Sequence, residues 1–164
     1  MEEKLRLYKV DPAYLRFMHG IDPRVSVKFN NRPFIGIITM LNGISYVLPL
    51  TSQTTQERQK EGKKKRAAHI TTFVKDSAGN EIANILHNNM LPVLEGLYTP
   101  LEIDPETDTY ESNEIRYIRK NKDAIIKKAQ AVYENRTNNS TPFLEKTCCD
   151  FKNLEAHYQS FRKK

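Results

Sequence analysis

The clearest pattern along the chain is a pair of apolar runs, Phe34 to Met40 and Tyr46 to Leu50, separated by Asn42-Gly43. Asn-Gly between two such runs predicts a tight hairpin, because both residues adopt positive φ at little cost. Arg32 to Ser52 is therefore expected to form two paired strands that exit through Pro49-Leu50-Thr51-Ser52. Both arms are apolar enough for the middle of a sheet. Gly36 interrupts the first arm, where a glycine marks a bulge, a barrel corner or the close approach of another backbone.

Period-two alternation predicts further strands at Leu5 to Val10, Val25 to Phe29 and Ala67 to Lys75, and Ile82 to Leu86 reads as one more. Met90 to Leu94, around Pro92, reads as an edge or a strand start. Asp11-Pro12 supplies an N-cap and a first helical position for a short helix carrying Tyr14, Leu15, Phe17 and Met18 and stopping near Gly20. Gln53 to Arg66 is polar throughout and is expected to be a long loop. After a turn-rich stretch from Thr99 to Tyr110, Ile115, Ile118, Ile125, Ile126, Ala129, Val132 and Tyr133 recur at helical spacing. They predict one basic amphipathic helix from near Ser112 to residue 134. A loop from Asn135 to Pro142 precedes a last helix faced by Phe151, Leu154, Tyr158 and Phe161. The sum is an α+β chain, one compact domain over residues 1–164, with a curved, mostly antiparallel sheet or barrel core and flanking helices.

Composition narrows the function. Lys and Arg number 26 against 20 Asp and Glu, a net charge of +6 that favours polyanionic partners. Most of that excess lies in Gln56 to Arg66, where Arg58, Lys60, Lys63, Lys64, Lys65 and Arg66 face only Glu57 and Glu61. Arg116, Arg119 and Lys120 give the long helix a second basic surface. The adjacent Cys148 and Cys149 read as reduced thiols, and no apolar run approaches a membrane span, so a cytoplasmic protein without membrane contact is expected. Four scattered histidines form no ligand spacing, and no P-loop or dinucleotide fingerprint is present, so the expectation is no metal and no cofactor.

Metal-free RNA cleavage suits what remains, since its nucleophile is the substrate's own 2′-OH and the protein need only align, exchange protons and neutralise charge. Thr51 and Ser52 offer hydroxyls, and antiparallel pairing brings Arg32 to the same end of the sheet. Each residue also has a plainer reading. Thr51-Ser52 fits a turn cap, Arg32 a surface arginine, His69 a solvent-facing ring, Tyr14 a packing residue, and the lysine run a solvated loop. A non-catalytic basic RNA- or DNA-binding module and a basic structural protein stay open on this ground.

Phe34-Ile35-Gly36-Ile37, Asn42-Gly43 with Tyr46, and Pro49-Leu50-Thr51-Ser52 resemble the ToxN/AbiQ family, endoribonuclease toxins of type III toxin-antitoxin systems. The likeness extends to Leu7-Tyr8-Lys9-Val10 with Tyr14-Leu15, to Asn84-Ile85-Leu86 with Met90 to Val93, to Ile115 to Arg119, and to Cys148 with Phe151, Leu154, Glu155 and Tyr158. It implies a fold similar to the MazF/Kid toxins and a metal-independent endoribonuclease active in abortive infection and phage defence. Such an enzyme leaves 2′,3′-cyclic phosphate and 5′-hydroxyl ends on cellular or phage RNA. It also implies a small pseudoknotted RNA antitoxin, cut from a repeated precursor by the toxin and held in a toxin-RNA hetero-oligomer. Carried over by position, the active-site candidates are Tyr14, Arg32, Thr51 and Ser52, with His69 as a proton carrier. Where members of the family often have Ser-Pro-Lys this chain has Ser52-Gln53-Thr54, so the missing cation is sought in Lys60 or Lys63 to Arg66. Lys28, Arg58, Lys60, Lys63, Lys64, Lys65, Arg66, Arg116, Arg119 and Lys120 are the expected RNA contacts.

Overall fold

A computed structural model describes residues 5–27 and 34–162, and two of the sequence candidates, Lys28 and Arg32, lie outside them. Asn42 (φ 52°) and Gly43 (φ 81°) turn the chain between β2 (Ile35–Leu41) and β3 (Ile44–Thr51), which pair in register from Leu41↔Ile44 to Ile35↔Leu50. The hairpin is the centre of the sheet. β1 (Leu7–Val10) pairs with β2 on one side, and β5 (Glu81–Leu86) pairs with the end of β3 on the other. β4 (Thr71–Lys75) and β7 (Tyr98–Pro100) complete the order β4-β5-β3-β2-β1-β7. All pairings are antiparallel, and β4 and β7 are edges, so the sheet is open and the barrel alternative falls away.

Gly36 answers the question its position raised. A Cβ there would stand 2.6 Å from both the Leu48 carbonyl oxygen and Val47 Cγ2, so only glycine lets β3 lie this close. Along β3's other edge, β5 pairs at Leu50 and Thr51. The chain then makes a turn at His87–Asn89, and β6 (Leu91–Pro92) resumes the pairing at Val47 and Tyr46.

Asp11 caps α1 (Pro12–Ile21) by accepting from the Ala13 N–H, and Tyr14, Leu15 and Met18 form its buried face. Five expectations change. Gln53 to Arg66 contains α2 (Thr55–Lys60), capped by the Thr54 hydroxyl accepting from the Glu57 N–H. The single long helix is two, α3 (Thr109–Lys120) and α4 (Lys122–Asn138), broken at Asn121, whose side-chain amide donates to the Tyr117 carbonyl. α5 (Pro142–Thr147) occupies part of what reads as a loop, ahead of the expected α6 (Phe151–His157). Ala68–Ile70 forms a single 3-10 turn, so the strand begins only at Thr71, and Val25 to Val27 form no strand.

Helices α4 and α6 close over the sheet through Tyr46, Tyr133 and Phe151. Both tyrosine hydroxyls donate to Glu155 Oε2, at 2.6 and 2.8 Å. Cys148 and Cys149 are free and buried, and burial raises both thiol pKa values, that of Cys148 to about 12.

Candidate active site

The end of β3 is where hydroxyls and cations meet. Thr51 is half-buried and sits opposite Asn84 of β5, and Ser52, the next residue, is exposed. Thr51 Oγ1 accepts from the Gln53 N–H at 3.2 Å, so this hydroxyl shapes the turn that leaves the strand. The basic segment folds straight back onto that turn. Arg66 Nη1 donates to the Gln53 carbonyl at 3.1 Å and to Asn84 Oδ1 at 3.2 Å, while Nη2 donates to Gln53 Oε1 at 3.0 Å. Arg58 donates to the Lys64 carbonyl at 2.8 Å, and Gln53 Nε2 to Glu61 Oε2 at 2.8 Å. Both ends of the segment are thus tied to the strand exit.

Asn84 is fully buried and supplies the other anchor. Its Nδ2 donates to Glu81 Oε2 at 2.8 Å, and the same oxygen accepts from the Thr55 N–H at 2.7 Å and the Thr55 hydroxyl at 3.1 Å. Burial pushes the Glu81 carboxyl up, yet the hydrogen bonds from Asn84 and Thr55 and the Lys65 charge outweigh it and hold the pKa below the ordinary value. Burial, with Arg58 nearby, pushes the Arg66 guanidinium down to about 10, so it stays charged at neutral pH. Lys65 lies over the Phe73 ring at 4.8 Å and Lys63 pairs with Glu61 at 3.2 Å, and Lys60, Lys63, Lys64 and Lys65 are all exposed. An ordered clasp therefore holds the Arg66 guanidinium at the exit that carries the two hydroxyls.

The other candidates among the described residues are elsewhere. Tyr14 is 0% exposed and its hydroxyl donates to the carbonyl of Pro92, which pairs with Tyr46, well back along β3 from Thr51. Burial, with Tyr158 adding to it, raises the Tyr14 pKa, so the phenol keeps its proton. β4 runs in the same direction as β3, with Phe73 level with Asn84 and Thr51. His69 precedes Phe73 and so lies back from the exit, exposed, with its ring 5.5 Å from that of Phe143. Arg116 and Lys120 are exposed on α3, and Arg119 Nε donates to the Leu5 carbonyl at 2.9 Å. Asn84 and Glu81 are the residues that sequence reasoning missed. Asn84 carries a weak signal, an amide amid the apolar residues of Ile82-Ala83-Asn84-Ile85-Leu86. Among the described residues no three His, Cys, Asp or Glu side chains gather in a way that could hold a metal ion, and no helix is long and apolar enough to cross a membrane.

An antiparallel sheet under helices, with a hydroxyl pair and a folded-back cationic segment at its central strand end, is a scaffold suited to a phosphodiester. A family model described as toxin ToxN of type III toxin-antitoxin systems matches residues 6–159, and the chain belongs to that family. It is 25% identical to endoribonuclease AbiQ of Lactococcus lactis subsp. lactis, over 98% of this chain and 91% of that one. With endoribonuclease ToxN of Bacillus thuringiensis subsp. kurstaki the identity is 24%, over 97% and 85%. The fold matches that of AbiQ, a lactococcal anti-phage endoribonuclease of a type III system, with a TM-score of 0.83 at 23% identity over 99% of this chain and 100% of that one. It equally matches a type III toxin described as selectively inhibited by a non-coding RNA pseudoknot, with a TM-score of 0.82 at 23% identity and the same coverage.

Proposed function

We propose that this protein is an endoribonuclease toxin that cuts RNA at the end of β3 without a metal ion and is restrained by a small pseudoknotted RNA that it trims from a repeated precursor. Family membership and the two endoribonuclease relatives support the class. The observation that carries the site is the Arg66 clasp on Gln53 and Asn84, which holds the basic segment against the Thr51-Ser52 exit. In this reading the substrate's 2′-OH attacks the adjacent phosphorus and loses its proton while the bond from phosphorus to the 5′-oxygen breaks and that oxygen gains one, leaving a 2′,3′-cyclic phosphate and a 5′-hydroxyl. Ser52 orients the nucleophile or a phosphate oxygen, and Thr51 fixes the turn that aims it. Lys60 and Lys64 lower the charge on the non-bridging oxygens, while Arg66 and Asn84 act as positioning residues. Arg32, outside the described residues, stays a candidate cation on the strength of the family resemblance alone. Tyr14 holds α1 on the sheet, and His69 offers its ring along the RNA path. The restraining RNA occupies the same cationic edge, which makes inhibition and substrate competition one process.

The test is cleavage of cellular RNA in excess EDTA followed by end analysis. We expect cut RNA whose 5′ ends accept phosphate directly from polynucleotide kinase. RNA left intact in EDTA but cut with magnesium overturns metal independence, and 5′-phosphate ends overturn attack by the 2′-OH. Ser52→Ala is expected to lower cleavage at least ~100-fold while leaving the melting temperature unchanged, because an exposed hydroxyl contributes little to stability.

A further inference from the structure

A second basic feature lies on another part of the molecule. A groove of about 480 Å³ opens between α3, the start of β1 and the segment after β7. Its lining combines the covered apolar side chains Leu101, Ile103 and Ile115, which form an apolar floor, with the exposed Arg6, Arg116 and Arg119 at its edges. Among the described residues, Arg119 engages only its Nε, on the Leu5 carbonyl, which leaves the outer face of its guanidinium for a ligand. Arg6 and Arg116 are exposed, and among the described residues no salt bridge neutralises either of them. Two other polar groups line the groove: the Glu102 carboxylate, and the Ser112 hydroxyl, which is buried with no hydrogen-bond partner.

Guanidinium forks bind phosphate oxygens and also stack on bases, whereas an apolar floor receives the flat face of a ring. Only an unstacked base can reach such a floor, because a duplex hides both faces of each base. Arg6 just before β1 and Arg116 and Arg119 on α3 line the groove from two separate elements, so its cations come from two sides, which favours the successive phosphates of a chain over the single phosphate of a free nucleotide. We infer that this groove seats an unpaired nucleotide of a bound RNA, with the base on Leu101, Ile103 and Ile115 and the flanking phosphates on the three arginines. Glu102 and Ser112 face the base edge, where a carboxylate favours a ring that presents N–H donors. The inference rests on the RNA-cutting reading above but concerns a surface separate from the Thr51-Ser52 exit.

The test uses the full chain and a 2′-O-methyl single-stranded oligonucleotide, which lacks the attacking hydroxyl and stays intact. Arg6→Ala with Arg116→Ala is expected to weaken binding at least ~10-fold and to flatten the salt dependence by one to two phosphates, at a slope of about −0.7 per phosphate. Ile103→Trp fills the floor without touching the charge and is expected to weaken binding by a similar factor. Affinity within ~2-fold of the parent in the arginine double variant overturns the inference, as does displacement of the oligonucleotide by a mononucleotide of equal affinity. Cleavage of ordinary RNA by the parent protein is measured alongside. A parent that cuts RNA while the double variant binds normally defeats the groove alone, whereas a parent that neither binds nor cuts RNA defeats the toxin reading and the groove together.

Discussion

Arg66 has three acceptors within reach, and their geometry determines what its replacement does. Its fork joins Gln53 to Asn84, so removing it frees the end of the basic segment and leaves the buried Asn84 Oδ1 without its partner. Arg66→Ala should cost on the order of 2 kcal/mol, the range for a hydrogen bond to a charged group, and should lower kcat. Arg66→Lys keeps the charge but not the fork and should recover little of either. The measurement is a double-mutant cycle with Asn84→Ala, by urea denaturation and by cleavage rate, in which a coupling of roughly 1 kcal/mol is expected. Additive effects, or full rescue by lysine, would show that Arg66 acts as a charge and not as a clasp.

At the scale of elements, the hairpin and α2 support the same site with very different stiffness. Gly36→Ala drives a methyl group into the Leu48 carbonyl, which is backbone and cannot move aside, so a loss of about 1–3 kcal/mol in global stability is expected together with reduced cleavage. Thr54→Ala removes only the cap of a helix with no buried residues. It should cost roughly 1 kcal/mol locally, seen as faster amide exchange across Thr55–Lys60 with the melting temperature nearly unchanged. The two elements also differ in how they were written in the chain. Asn42-Gly43 and Asp11-Pro12 are local signals beside long apolar patterns, and both predict correctly. Thr54 with Glu57 and Thr141-Pro142 are signals of the same kind, but α2 and α5 are too short to show an apolar stripe and reading by periodicity passes over them. The spacing of Ile118 and Ile125 runs through Asn121 without a change of phase, which hides the break between α3 and α4. β7 exists because β1 offers it an edge, a tertiary reason that no local pattern carries. The strand exit at Thr51-Ser52 was legible, whereas Asn84 and Glu81 join the site through partners 18 and 26 residues away.

For the molecule as a whole, the two buried ionisable groups His87 and Glu114 pull the pH dependence of stability in opposite directions. His87 is 0% exposed in the turn between β5 and β6, with Nε2 at 2.7 Å from the Thr72 hydroxyl, and burial and the Lys128 charge push its pKa from 6.5 down to about 3. Below pH 6.5 the unfolded chain takes a proton that the native imidazole refuses, so stability falls as the pH drops from 6.5 towards 3. Glu114 on α3 is 4% exposed, and burial and Glu111 raise its pKa from 4.5 to about 8 against the hydrogen bond from Tyr110. Above pH 4.5 the unfolded carboxyl ionises while the native one does not, so stability falls as the pH rises from 4.5 to 8. Between 4.5 and 6.5 the two slopes offset each other, and outside that window only one of the pair contributes. Asp22 steepens the acid side. Burial opposes its ionisation, but hydrogen bonds from Arg24 and the Asp150 N–H hold its pKa below 3.8 and are lost on protonation. The expected profile is a plateau near pH 5–6 with a decline on either side, on the order of 2 kcal/mol by pH 8. Urea denaturation across the range checks it, with the slope and not the level as the readout. Glu114→Gln should flatten the decline between pH 6.5 and 8 and His87→Asn the one below 4.5. A Glu114→Gln protein that declines as steeply as the parent would mean that the alkaline arm arises elsewhere.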